Sequence, residues 1–157
     1  MVLVGRAYFS AVIDAPVQRV WDVIADFHGI ANWVRRLEVD SSKPGRVGNE
    51  VGAIRSLILA PEGQQVGERL TRYDQDNRRY SYTFVDPAPF PVQAYEGTLH
   101  VLPVTANDHT FVEWYADFDA DDALTEQLAT AFATIYAEFA GDLADHLRQR
   151  GGVPCEV

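Results

Sequence analysis

The chain has 157 residues and a mass of 17.5 kDa, a size that suits one domain. Acidic residues outnumber basic residues by 23 to 13, which gives a formal net charge of −10 and opposes binding to phosphate backbones or anionic lipid. There is no run of about 18 apolar residues that could cross a membrane, and no basic region followed by a long apolar run at the N-terminus. We therefore expect a cytoplasmic protein that has no nucleic-acid partner and does not insert into membranes.

The first part of the chain predicts a strand followed by short helices. Residues 2–13 alternate between apolar and polar side chains, a period of two that is typical of a half-buried strand. Pro16 follows, and proline is favoured at the first position of a helix. Apolar residues then recur at helical spacing from Val17 to Ile24, and one or two further helical turns are expected from Gly29 to Trp33.

The middle of the chain predicts six more strands. Apolar residues alternate with polar ones in short runs, and the runs are separated by segments rich in Gly, Pro, Asn and Asp. Because most separators are short, neighbouring strands should pair as antiparallel hairpins. The candidate strands are 35–41, 49–59, 64–73, 78–86, 93–103 and 109–119.

A long helix is predicted from about Asp121 to Arg150. Acidic residues cluster at its start and arginines at its end, as the helix dipole favours, so we interpret the acidic cluster as capping and not as a metal site. Its apolar face consists of Leu124, Leu128, Phe132, Ile135, Phe139, Leu143 and Leu147. The sequence therefore predicts an α+β fold in which a curved, seven-stranded antiparallel sheet wraps around this helix.

Five segments follow one another in the order and spacing of a known superfamily. The first joins Ile13-Asp14-Ala15-Pro16 to a helix containing Val20-Trp21-Asp22-Val23-Ile24-Ala25-Asp26-Phe27. The others are Val51-Gly52-Ala53-Ile54-Arg55, Glu68-Arg69-Leu70, Arg79-Tyr80-Ser81-Tyr82 and Trp114-Tyr115-Ala116-Asp117-Phe118. Over nearly its whole length the chain resembles the START/Bet v 1-like (SRPBCC) superfamily, and more narrowly the bacterial polyketide cyclase/dehydrase and lipid-transport group. The resemblance implies a single helix-grip domain over 1–150 with a deep cavity, followed by a flexible tail at 151–157.

Two charged residues stand among apolar neighbours on the predicted strands. A four-residue turn at 60–63 places Arg55 opposite Glu68, both in the apolar phase that also contains Val51, Ala53, Leu57 and Leu59. A lone inward charge is costly, but a pair is tolerable. The pair is either a structural ion pair that fixes the sheet register or a polar anchor for a ligand, unless the register is wrong and both side chains lie in solvent. In plant hormone receptors of the resembled superfamily, the glutamate of the matching Glu-Arg-Leu segment contributes to the pocket.

The predicted hairpin registers also turn aromatic side chains inward. A three-residue loop at 75–77 pairs Leu70 with Tyr82, and the last hairpin aligns the small residues Gly97 and Ala116, which opens a gap in the inner face. Each aromatic residue fits plain core as well as a ligand contact, but aromatic walls with a few polar groups suit a flat or elongated apolar ligand. The predicted lining is Arg55, Glu68, Tyr82, Phe84, Tyr95, Trp114, Phe132 and Tyr136, with Phe90 of the proline-rich loop 86–91 as a lid or as part of a rigid connection.

The sequence contains no Gly-rich phosphate loop, nucleophile elbow or zinc motif. Its four histidines are dispersed and its only cysteine is Cys155, so we expect no metal and no cofactor. We expect a monomer or a homodimer. Two functions remain, and the acidic surface also permits a protein-interaction role. One is binding of a hydrophobic small molecule. The other is a cofactor-free polyketide cyclase, aromatase or dehydratase, in which Glu68 is the base and Arg55 and a tyrosine (Tyr82 or Tyr95) are donors.

Overall fold

A computed structural model describes residues 5–43 and 48–151 of the chain. The turn expected at 43–45 therefore lies mostly outside the described residues, as do Cys155 and nearly all of the expected tail 151–157. In chain order the elements are β1 (Gly5–Ile13), α1 (Val17–Ile24), a 3₁₀ helix (Phe27–Asn32), β2 (Leu37–Val39), β3 (Ile54–Leu59), β4 (Gln64–Asp74), β5 (Arg79–Phe84), β6 (Ala94–Val104), β7 (His109–Asp119) and α2 (Asp122–Gly151).

The strands form one antiparallel sheet in the order β1-β7-β6-β5-β4-β3-β2. The helix α2 packs on the inner face of this sheet, and its buried residues Leu128, Phe132 and Leu143 belong to the same apolar cluster as the inward residues of the strands. Burial of each such side chain contributes roughly 1.5–3 kcal/mol. The helix-grip fold predicted from the sequence is confirmed.

The helix α1 closes one end of the core. Val20, Trp21 and Ile24 are buried, as the helical spacing predicts. The Trp21 ring lies 5.8 Å from the ring of Tyr73 on β4, so the short helix is held against the sheet by aromatic contact.

None of the helices that the structure describes is long and apolar enough to cross a membrane.

The third predicted strand is shorter than expected. It begins at Ile54 and not at residue 49, because the chain before it turns: Gly52 has a φ of 98°, and the Ala53 amide donates to the Glu50 carbonyl. Val51 is consequently 61% exposed and does not share the inner face with Arg55, which corrects the prediction. The strand predicted at 35–41 is likewise reduced to Leu37–Val39.

The turn between β4 and β5 also differs from the prediction. Four residues, 75–78, separate Asp74 from its partner Arg79, and Arg78 adopts the left-handed conformation with a φ of 53°. If the strands continued from this turn without irregularity, Leu70 would not pair with Tyr82. A β-bulge between Leu70 and Arg72 restores the pair, so the predicted pairing of Leu70 with Tyr82 is correct although the predicted loop is wrong.

Candidate functional site

Arg55 and Glu68 form a buried ion pair between β3 and β4. The predicted register is confirmed, and the side chains of Arg55 and Glu68 are both buried, which rules out the alternative that they lie in solvent. Arg55 Nε donates to Glu68 Oε1 at 2.7 Å, and Arg55 Nη1 donates to the Phe27 carbonyl at 2.8 Å. The guanidinium carbon lies 4.0 Å from the centre of the Phe27 ring. Arg55 therefore joins β3 to β4 through Glu68 and joins the 3₁₀ helix to the sheet through Phe27.

Arg55 also carries a donor that these contacts leave unused. Nη2 is buried, and within the described part of the chain it has no hydrogen-bond acceptor. The neutral Tyr80 hydroxyl lies close to the guanidinium, but no hydrogen bond of normal geometry joins them. Burial alone would lower the pKa of Arg55, but the Glu68 carboxylate raises it, so the guanidinium stays charged. A charged donor without an acceptor in the interior is costly unless another molecule satisfies it.

A narrow cavity lies between this pair, the inner face of the sheet and α2. Its volume is about 50 Å³, and all nine residues predicted for the site are in its wall. Of the wall residues that the prediction omitted, Leu57, Leu59 and Val66 share the inward phase of Arg55 and Glu68, a signal already present in the sequence. The others come from α2 or from the short elements before β3, where no pattern distinguished them from core. The omitted wall residues are Ile30, Leu37, Leu57, Leu59, Val66, Ile135 and Phe139.

Phe90 of the proline-rich loop lies in the wall of the cavity. Its ring lies 5.9 Å from the ring of Phe84 on β5 and 5.0 Å from the ring of Phe132 on α2. The ring of Phe84 in turn stacks on the ring of Tyr95, with ring centroids 4.2 Å apart. Gln64 holds the loop by donating to the Pro89 carbonyl at 2.7 Å. The apolar tip of this loop therefore lies between the sheet and the helix, over the cavity.

Three tyrosine hydroxyls meet in the interior beside the cavity. The Trp114 indole N–H donates to the Tyr82 hydroxyl at 2.9 Å, and the hydroxyls of Tyr95 and Tyr136 are hydrogen-bonded to each other. The ring of Tyr136 is stacked on Trp114, with centroids 5.3 Å apart. Burial raises the pKa of Tyr82, Tyr95 and Tyr136, so each phenol keeps its proton at neutral pH.

The small residues Gly97 and Ala116 face each other, as predicted. A Cβ on Gly97 would lie 2.8 Å from Tyr82 Cζ and 2.9 Å from the hydroxyl oxygens of both Tyr82 and Tyr95. The gap predicted at Gly97 is thus filled by the ends of two tyrosines. It is a packing feature of the wall and not an open cavity floor.

Metal-binding chemistry is sparse in the part of the chain that the structure describes. No group of three or more His, Asp, Glu or Cys side chains is arranged there to hold a metal ion. His100 pairs with Glu113 at 3.0 Å and His109 with Asp14 at 2.8 Å, both away from the cavity. The chemistry available to a ligand in the cavity is therefore one carboxylate, one guanidinium and several phenols in an aromatic wall.

Comparison with known proteins gives one family match and many structural matches. The family described as polyketide cyclase/dehydrase and lipid transport matches residues 5–148. A protein of Nitrosospira multiformis is 32% identical, with a TM-score of 0.70 over 89% of this chain and 94% of that one. A Thermobifida fusca protein is 27% identical, with a TM-score of 0.75 over 92% and 93% of the two chains.

The fold also extends to plant proteins. A point mutant of norcoclaurine synthase from Thalictrum flavum, solved in complex with a transition-state analogue, has a TM-score of 0.70 over 93% of this chain and 95% of that one. At 14% identity this likeness concerns the fold alone. Among curated proteins no significant match was found.

Proposed function

Because the chain belongs to the polyketide cyclase/dehydrase and lipid transport family, we propose that its cavity binds a hydrophobic small molecule of aromatic, polyketide-like or lipid-like character. The polar end of that molecule is held by Arg55 beside Glu68. The observation that carries the proposal is the buried Nη2 of Arg55, a charged donor without an acceptor among the described residues, in a wall that is otherwise aromatic and aliphatic. A carbonyl or carboxylate oxygen of the ligand satisfies this donor.

Binding of such a molecule requires the cavity to open. Pockets for drug-sized ligands commonly have volumes of ~300–1,000 Å³, whereas this cavity has about 50 Å³. Phe90 is the wall residue that moves at the lowest cost, because it is only half-buried and belongs to a loop, whereas the rings of Tyr95 and Phe132 are buried in β6 and α2. Displacement of the Phe90 ring from between Phe84 and Phe132 opens the space between sheet and helix.

Anilinonaphthalene sulfonate is a suitable first probe, because it joins an aromatic body to an anionic acceptor. We expect the protein to bind it at one saturable site, with fluorescence enhancement as the readout. Arg55→Lys retains the positive charge but lacks the Nη2 donor, and we expect it to weaken binding roughly tenfold, the effect of about one charge-assisted hydrogen bond. Arg6→Lys is the matched control, because Arg6 is exposed on the outer face of the sheet and pairs there with Asp117.

Phe90→Ala tests the route into the cavity. It removes the ring that closes the end of the cavity, so we expect the association rate of the probe to rise while the site stays saturable. Non-saturable binding by the wild-type protein, or equal affinities for the Arg55→Lys and Arg6→Lys variants, would contradict the proposal. Native mass spectrometry of the freshly purified protein, followed by denaturing extraction, then identifies any molecule that the cavity already holds.

A catalytic role is the second candidate, and the position of Glu68 favours it. The Glu68 carboxylate lies in the cavity wall, and only Oε1 is engaged by Arg55 Nε. A cyclisation or dehydration of a poly-β-ketone needs a base for an acidic C–H and donors for the developing enolate. Glu68 is that base, with Arg55 and a hydroxyl of Tyr82 or Tyr95 as donors. Glu68→Gln should then abolish turnover and leave binding nearly intact, and an equal loss of both refutes the assignment.

A further inference from the structure

The geometry points to a second polar subsite in the cavity: the hydroxyl pair Tyr95–Tyr136, next to Tyr82, binds an acceptor oxygen of the ligand. This inference rests on the proposed function, because it assigns the class of molecule that the cavity takes. The ligand is an apolar ketone, quinone or ester with one oxygen for Arg55 and another for the tyrosines.

The hydroxyl groups beside the cavity hold more protons than their mutual hydrogen bonds use. Tyr95 and Tyr136 share one hydrogen bond, so whichever phenol accepts in that bond keeps its own proton unused. Tyr82 accepts from the Trp114 indole, which donates only, so the Tyr82 proton is not used in that bond either. The hydrogen bonds that join these four residues therefore leave two phenolic protons to be accepted elsewhere.

The three tyrosines that carry these protons line the cavity. Tyr82, Tyr95 and Tyr136 all contribute to the cavity wall, and the wall around them is mainly aromatic and aliphatic. The hydroxyl oxygens of Tyr82 and Tyr95 are each 2.9 Å from the position of a Cβ on Gly97, so they are at most twice that distance apart. An oxygen atom near both is within reach of two donors. Only glycine at this position leaves room for the two hydroxyls to approach each other.

The cavity wall contains more hydrogen-bond donors than acceptors that engage them. The phenols remain protonated because burial raises their pKa, and Arg55 adds an unpaired N–H. An interior donor without an acceptor loses its hydrogen bond to water on folding and gains nothing in return. A ligand that brings acceptor oxygens restores these bonds, whereas a pure hydrocarbon leaves them unmade. The Arg55 guanidinium carbon lies 5.1 Å from the centre of the Tyr82 ring, and Arg55, Tyr82, Tyr95 and Tyr136 line the same cavity.

The experiment compares two probes of the same two-ring skeleton, α-tetralone with a carbonyl oxygen and tetralin without one. Their dissociation constants are measured for the wild-type protein, the double variant Tyr95→Phe/Tyr136→Phe, and the control Tyr8→Phe. The double variant removes both partners of one hydrogen bond, so it leaves no orphaned group and should fold. Tyr8 is an exposed residue of the outer face whose hydroxyl bonds Glu113, away from the cavity.

We expect the double variant to bind α-tetralone about 2- to 10-fold more weakly, the effect of one hydrogen bond, and to bind tetralin with unchanged affinity. The infrared carbonyl stretch of bound α-tetralone should move to higher frequency in the double variant, and Tyr8→Phe should match the wild type. An unchanged affinity for α-tetralone overturns the tyrosine subsite and leaves Arg55 as the holder of the oxygen. An equal loss for both probes also overturns it, because the effect is then one of packing. If neither probe binds the wild-type protein although anilinonaphthalene sulfonate does, this inference fails and the proposed function stands. If none of the three probes binds, both fail.

Discussion

Replacement of Gly97 by alanine tests the packing of the cavity wall with a single methyl group. The new Cβ would lie 2.8 Å from Tyr82 Cζ and 2.9 Å from two hydroxyl oxygens, closer than carbon atoms normally approach such neighbours. None of these atoms belongs to a flexible chain end. The Tyr82 ring is held by Trp114, and the Tyr95 hydroxyl by Tyr136, so the tyrosines or the backbone of β6 must shift.

The cost of this change follows from overpacking of a dense core. An extra methyl group in such a site typically destabilises a protein by about 1–3 kcal/mol. In a chain of this size, each kcal/mol lowers the melting temperature by roughly 2–4 °C. Gly141→Ala is the matched control, because Gly141 is exposed in α2 and a Cβ there meets nothing within 4 Å. Removal of glycine from a helix interior should stabilise the protein by about 0.5–1 kcal/mol.

Urea denaturation followed by circular dichroism measures both variants against the wild-type protein. We expect free energies of unfolding that change in opposite directions, lower for Gly97→Ala and higher for Gly141→Ala. Tyr95→Phe removes one of the three close contacts, so its combination with Gly97→Ala should cost less than the two single changes added together. A Gly97→Ala protein as stable as the wild type would refute the packing described for this wall.

Three further predictions concern charge. The four fully buried tyrosines (Tyr80, Tyr82, Tyr95 and Tyr136) have raised pKa values, so above the ordinary value of 10.0 the unfolded chain loses protons that the folded chain keeps. Each tyrosine then lowers the free energy of unfolding by up to about 1.4 kcal/mol per pH unit. These four are among the seven tyrosines of the chain, and their share of the tyrosinate absorbance should appear only together with cooperative unfolding. Reversible titration of these phenols near pH 10 in the folded protein would contradict this. Arg55→Met leaves Glu68 buried without its partner and should cost about 3–5 kcal/mol in urea denaturation, while a double variant with Glu68→Leu should recover much of the loss. Arg6→Ala breaks an exposed pair with Asp117 and should cost less than about 1 kcal/mol, and a larger loss would show that the outer face contributes more than its exposure implies.

Much of the fold and of the site follows from local patterns in the sequence. The alternation of apolar residues identifies the inward face of each strand, and the length of a turn fixes which residues pair across it. For Arg55 and Glu68 both signals are clear, and the four-residue turn before β4 gives the register that the structure has. The same reasoning wrongly places Val51 on the inner face, because the predicted strand runs through a turn that Gly52 makes possible.

The hairpin of β4 and β5 shows a limit of such reasoning. A longer turn and a β-bulge each shift the register by one residue, and the two shifts cancel at Tyr82. Alternation of apolar residues reports only the net shift, so the sequence predicts the correct pair, Leu70 with Tyr82, together with the wrong loop length. A bulge is set by how the strand must bend over the core, which depends on elements far away in the chain.

The sequence by itself determined the order of the elements, the inward faces of most strands and the pairing of Arg55 opposite Glu68, because these depend on neighbours within a few residues or across a single turn. Only the tertiary structure decided how large the cavity is, that the Phe90 ring packs against Phe132 in its wall, and that Tyr95 on β6 bonds Tyr136 on α2. These features depend on the distance between the sheet and a helix that follows it in the chain, and on the rotamers that fit between them. Side-chain periodicity reports the face on which a residue lies, but it contains no information about how closely the opposite layer approaches.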